Sequence, residues 1–204
     1  MRNLIFAAGL TLAALSLPAL ADDPPAPPTR VRGTIEKLDG QNLVIKAKDG
    51  SDVTVAMAPG FGVGTVKKVS LADIKPGDYV GSAAVKGADG KLRALEVHVF
   101  PEPMRGTAEG HFPWDFGADS SMTNATVGEV TSAPGGGRSL ALTYKGGATV
   151  IDVPQDVPIV TFAPGDAAMI QPGRSVILFA MKQPDGSLIS NRVTVENDGV
   201  KPPM

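Results

Sequence analysis

The sequence predicts an all-β protein: two tandem small barrels of the OB or SH3-like kind, related by an internal repeat and preceded by a cleaved signal peptide. Three observations predict it. Short apolar runs are punctuated by Asp-Gly and Pro-Gly turns. Glycine (24) and proline (18) make up about a fifth of the 204 residues, the composition of a chain with many tight turns. The chain also matches itself at an offset of 96, with 11 of 26 positions identical between Ile74–Val99 and Ile170–Val195.

Each element follows from local chemistry. In the first unit (30–100), Val31–Leu38, Asn42–Lys48 and Asp52–Met57 alternate or run apolar, and Asp39-Gly40 and Asp49-Gly50 separate them. Asp-Gly between apolar runs is a strong hairpin signal because both positions tolerate positive φ. The glycine-rich Pro59–Gly64 predicts an irregular, flexible connection. A short strand near Thr65–Val69, a helical turn at Leu71–Ile74 and the turn Lys75-Pro76-Gly77-Asp78 follow, then strands Tyr79–Lys86 and Lys91–Phe100. The second unit (124–198) repeats this plan. Upstream of the main match, Gly33-Thr34-Ile35 pairs with Gly128-Glu129-Val130, and Leu43-Val44-Ile45 with Leu140-Ala141-Leu142. Each unit is expected to close a barrel of its own, with the two packed together because a domain of this size is marginal alone.

Residues 1–21 read as a secretory signal: Arg2, an uncharged apolar stretch Leu4–Leu17, Pro18, and the small-x-small site Ala19-Leu20-Ala21. The apolar stretch is shorter than the ~20 residues that cross a bilayer, which predicts cleavage and an exported, periplasmic or secreted protein. Residues 22–29, with four prolines, predict an extended linker, and 199–204 a short tail. With no cysteine, disulfide scaffolds, thiolate metal sites and cysteine nucleophiles are excluded. A formal charge of −2 gives no electrostatic drive toward nucleic acid.

The phrase Leu71-Ala72-Asp73-Ile74-Lys75-Pro76-Gly77-Asp78-Tyr79-Val80, followed by strand, Asp-Gly and strand, resembles a family of small bacterial exported β-barrel domains of unknown function, and the likeness covers both units. The segment Arg105–Val127 is similar to one in periplasmic proteins, some of which carry a metal-transporter label. The resemblance implies an exported β-barrel and a role near metal handling.

The connector (101–123) has no counterpart in either unit. Within it, Phe112, Trp114 and Phe116 fall at period two, so an extended chain puts the three rings on one face and His111, Pro113 and Asp115 on the other. Two readings stay open together: a plug that joins the barrels, and a recognition patch formed by His111, Phe112, Trp114, Asp115 and Phe116. His111, Asp115, Asp119, Met104 and Met122 could offer imidazole, carboxylate and thioether donors to a transition metal, although no diagnostic ligand spacing is present. His98 is expected on the solvated face of its strand with Glu96, opposite Leu95, Val97 and Val99. No G-x-S-x-G elbow or phosphate-loop motif occurs. These observations predict a non-catalytic binding protein without a cofactor, whose partner is an envelope protein or small ligand. The alternative is a periplasmic accessory that binds a transition metal for transport or resistance.

Overall fold

A computed structural model describes residues 27–203, so the expected signal peptide and most of the linker lie outside the described residues. The described residues are all-β, with twelve strands and four 3-10 turns of three residues each. The strands are β1 (Thr29–Asp39), β2 (Asn42–Ala47), β3 (Asp52–Lys68), β4 (Tyr79–Lys86), β5 (Leu92–Val99), β6 (Gly110–Pro113), β7 (Ser120–Ser132), β8 (Arg138–Tyr144), β9 (Gly147–Val153), β10 (Ile159–Pro164), β11 (Ser175–Lys182) and β12 (Leu188–Val195). Among the described residues no helix is long and apolar enough to cross a membrane.

Five strands close a barrel in the order β1-β2-β3-β12-β11. Its seams are Ile35↔Ile45, Leu43↔Val55, Val63↔Val193, Val176↔Val195 and Val31↔Leu178. The residues that alternate inward, among them Ile35, Leu43, Ile45, Val55, Val176, Leu178 and Val193, form its buried core. Closure leaves this barrel no unpaired edge. A second core, built on Val80, Val97, Val127, Leu140, Leu142 and Ile151, lies among β4, β5, β7, β8 and β9. There β4 pairs with β5 and β7, β8 joins β7 to β9, and β5 meets β9 through Leu92↔Ile151 and Arg93↔Asp152. Strand β10 ties the two groups together, antiparallel to β3 at Val66↔Phe162 and parallel to β5 at Val160↔His98.

This pairing departs from the expectation that residues 30–100 and 124–198 each close a barrel. The closed barrel takes β1–β3 from the first unit and β11–β12 from the second, while β4 and β5 pair among β7–β9. The Pro-Gly turns direct the exchange. The N–H of Gly77 donates to the Val127 carbonyl (2.7 Å) and that of Val127 to the Asp78 carbonyl (2.8 Å). Likewise Gly173 donates to the Ile35 carbonyl (2.8 Å) and Ile35 to the Arg174 carbonyl (2.9 Å). Each turn therefore seats its following strand on the first strand of the other unit.

The same contacts correct the upstream alignment. Val127, not Val130, occupies the role of Ile35: both are buried to within 1% and both precede a register shift, at Ile35/Lys37 and Val127/Glu129. The longer β7–β8 hairpin around Pro134–Gly136 absorbs the difference. Nor is Pro59–Gly64 a flexible connection. It runs within β3, where Gly60 bends the strand at φ 71° and Gly62 and Gly64 pair with Arg192 and Thr194. The ladder to β12 supplies hydrogen bonds that offset the low strand propensity of glycine.

Candidate functional site

The connector leaves β5 and returns to β7, both in the second strand group, and on the way its rings reach the arginines of β1. Its strand β6 pairs, among the described residues, with β7 alone, through His111↔Thr123 and Phe112↔Met122. The loop after it is pinned by Ser120. The Trp114 N–H donates to the Ser120 carbonyl (2.9 Å), and the Phe116 N–H donates to the Ser120 hydroxyl (3.1 Å). That hydroxyl in turn donates toward the Trp114 carbonyl (2.7 Å). The period-two expectation holds on this segment: Phe112, Trp114 and Phe116 are half-buried, and His111, Pro113 and Asp115 are exposed.

What the rings lie against was not visible in the sequence. Arg30 and Arg32 share one face of β1, two residues apart. The Arg30 guanidinium lies 3.7 Å from the centre of the Trp114 ring, and that of Arg32 is 5.3 Å from the Phe116 ring. The Lys48 ammonium lies 5.8 Å from the centre of the Phe116 ring. The Asp115 carboxylate closes the cluster with a single oxygen, Oδ2, 2.7 Å from Nη2 of both arginines. Partial burial alone would raise the Asp115 carboxyl. Hydrogen bonds from Arg30 and Arg32, together with their charges, outweigh that and hold it below its ordinary value. Asp115 is 50% exposed, whereas Arg30 and Arg32 retain 19% and 14%. Across the β1–β11 ladder the neighbour of Arg30 is Phe179, a ring 55% exposed. Guanidinium–ring stacking of this kind is worth about 0.5–2 kcal/mol per contact, so the cluster both fastens the connector and presents a cationic, ring-bearing surface.

The proposed metal donors are dispersed. His111 Nδ1 is 2.8 Å from the Thr123 hydroxyl and its ring stacks near Tyr144. Asp115 is held by the arginines, Met122 is buried at 3%, Asp119 sits in a turn at φ 61°, and Met104 ends a 3-10 turn. Among the described residues, no three His, Asp or Glu side chains are placed to hold a metal ion.

His98 is not on a solvated face. Its strand carries a bulge: Glu96 faces Ala83 and Ala94 faces Ala84, so Leu95 is extra, turns outward and is 38% exposed. The bulge accounts for Leu95 alone: Val97 lies in the second core as read, and the opposite face, which carries His98, is covered by rings instead of solvent. His98 is buried against the edges of Phe100 (4.7 Å) and Phe162 (5.6 Å), and Glu96 is buried as well. Gly81 makes the room: a Cβ there would fall 1.9 Å from His98 Nε2. Burial pushes the His98 imidazole from its ordinary 6.5 down to about 4. The unfolded chain therefore takes up a proton that the fold refuses, and stability falls as pH drops from 6.5 toward 4, by up to ~3 kcal/mol. Urea midpoints measured at pH 7 and pH 4.5 should differ in the native protein. In a His98→Phe variant the difference should shrink markedly.

Sequence reading also missed a groove of about 1070 Å³ lined by both strand groups and the chain's end, including Lys68, Glu96, Arg138, Asp156, Ile159 and Pro202. Its lining mixes both signs of charge, and no connector residue contributes to it. The ring-and-arginine cluster has the more specific chemistry. Comparisons of the chain with protein-family models, curated proteins and solved structures find no match.

Proposed function

We propose that this chain is an exported, non-catalytic binding protein of the bacterial envelope, built by duplication of one β unit, and that the connector with the β1 arginines is its recognition surface. The observation that carries the reading is the interleaving of Trp114 and Phe116 with Arg30 and Arg32, next to the exposed ring of Phe179. Exposed rings beside arginines are the side chains that dominate recognition energies.

Duplication is supported by the registers. Val66 pairs with Phe162, 96 positions on, and the flanking pairs Thr65↔Ala163 and Lys67↔Thr161 exchange under the same offset, as about a local two-fold axis. The parallel seams Val63↔Val193 and Ile159↔Val97 exchange in the same way. A symmetric scaffold with one unrepeated segment places the distinctive chemistry on that segment. Export is supported by the character of residues 1–21 and by the likeness to exported β-barrel domains. Both histidines serve packing or local hydrogen bonds, which supports a non-catalytic role.

Co-sedimentation with isolated envelope fractions tests the reading. The wild type should be retained, and Trp114→Ala should lose about tenfold or more of that retention, in keeping with the ~2 kcal/mol or more typical of an aromatic anchor. Retention unchanged while the melting temperature falls by several degrees would make Trp114 a joint between the strand groups and nothing more.

A further inference from the structure

We propose that Arg30 and Arg32 form a carboxylate receptor for an acidic sugar chain, a uronate-bearing glycan, with Asp115 as the built-in occupant that the ligand's carboxylate displaces. This deepens the recognition-surface reading and rests on it. Three cations, Arg30, Arg32 and Lys48, lie on the connector rings, and one carboxylate, Asp115, pairs with the two arginines, so the cluster has capacity for further negative charge. The geometry is already that of a carboxylate site, since both guanidiniums converge on Asp115 Oδ2 at 2.7 Å. They share a single oxygen, and Arg32 Nη1 and the Trp114 indole N–H are buried with no acceptor among the described residues. Buried donors are ordinarily paired, so the cluster is under-filled by acceptors. Asp115 is half exposed on a loop and can swing into water, leaving the arginines to a ligand.

The flat surroundings select the rest of the ligand. Beside the arginines β1 pairs with β11, through Arg30↔Phe179 and Arg32↔Ile177, and its ladder to β2 begins only at Gly33↔Ala47. The side chains this face presents are the rings of Trp114, Phe116 and Phe179, against which the C–H faces of sugar rings can lie, and guanidiniums spaced for acid groups. An acidic sugar supplies both features in one repeating unit.

Trp114 is the only tryptophan, so its fluorescence reports on the site directly. The probes are a mannuronate hexamer, cellohexaose as the neutral match, hexaglutamate as the acidic peptide, and acetate and inorganic phosphate as bare anions. The mannuronate hexamer should bind at least about tenfold more tightly than any of the others, with affinity falling as salt rises. Asp115→Asn should tighten its binding by about tenfold, because the competing carboxylate is gone, and Arg32→Gln should weaken it by at least as much. Arg30→Lys keeps the charge but not the planar fork; it should also weaken binding, and it serves if Arg32→Gln folds poorly. Equal binding of cellohexaose or hexaglutamate, mannuronate no tighter than acetate or phosphate, or Asp115→Asn that binds no better than wild type would overturn the proposal. Envelope retention that still requires Trp114 while mannuronate fails removes the sugar assignment and leaves the recognition surface standing. Loss of both removes both.

Discussion

Gly33→Ala is expected to destabilise the protein by on the order of 3–5 kcal/mol, near the limit for a single substitution, and to leave much of it unfolded or insoluble. The cause is steric and local. A Cβ at Gly33 would fall 2.0 Å from the carbonyl oxygen of Lys46 and 2.8 Å from its carbon. These atoms belong to the backbone of the neighbouring strand, in a register fixed by Gly33↔Ala47 and Ile35↔Ile45. No rotamer change relieves such a clash, so β1 and β2 must part at the point where the barrel closes. Gly128 is the instructive control, because sequence alignment pairs it with Gly33. A Cβ there meets the Ala141 carbonyl oxygen and the Thr143 hydroxyl at ordinary distances of 3.5 and 4.0 Å. Gly128→Ala should therefore shift the urea midpoint little, by less than ~1 kcal/mol in stability. Equal damage from both substitutions would show that the register assigned to β1 is wrong.

Local structure was the legible part of this fold. Alternating apolar runs and Asp-Gly turns located most strands, because a pleated strand with one buried face writes a period of two into its sequence. The connector rings obeyed the same period in their burial, while Asp115, expected on the opposite face, reaches the same two arginines as the rings. Three features escaped, each because it depends on partners distant in the chain. His98 read as solvated because a ring that covers its face, Phe162, belongs to β10, some 60 residues further along the chain. The glycines of β3 read as a loop because their strand character is imposed by β12, which lies some 130 residues further along in the sequence. The arginine pair on β1 was passed over because a charged i, i+2 pair on a strand usually faces only water. Its meaning arises from Trp114 and Asp115, more than 80 residues away. Pairing between units was hidden for a related reason. Strands alike in composition are interchangeable, so a match within the sequence identifies the pieces without saying which partner each one takes.

Engineered cross-linking resolves that last question and carries the second large effect. Thr34 and Ser175 are direct neighbours on antiparallel β1 and β11. Facing Cα atoms in such a ladder lie about 4.5–5.5 Å apart, within the span of a disulfide. The protein has no cysteine, so Thr34→Cys with Ser175→Cys introduces the only two thiols. Tyr79 is the position matched to Ser175 at the 96-residue offset, and it pairs instead with Thr126 on β7. The exchanged arrangement predicts that Thr34→Cys/Ser175→Cys oxidises almost completely as a monomer and, by closing a loop of roughly 140 residues, gains about 4–5 kcal/mol of stability. It predicts that Thr34→Cys/Tyr79→Cys remains reduced. A monomeric cross-link between positions 34 and 79, with none between 34 and 175, would mean that each unit closes on itself and that the barrel against which the connector packs is not the one described.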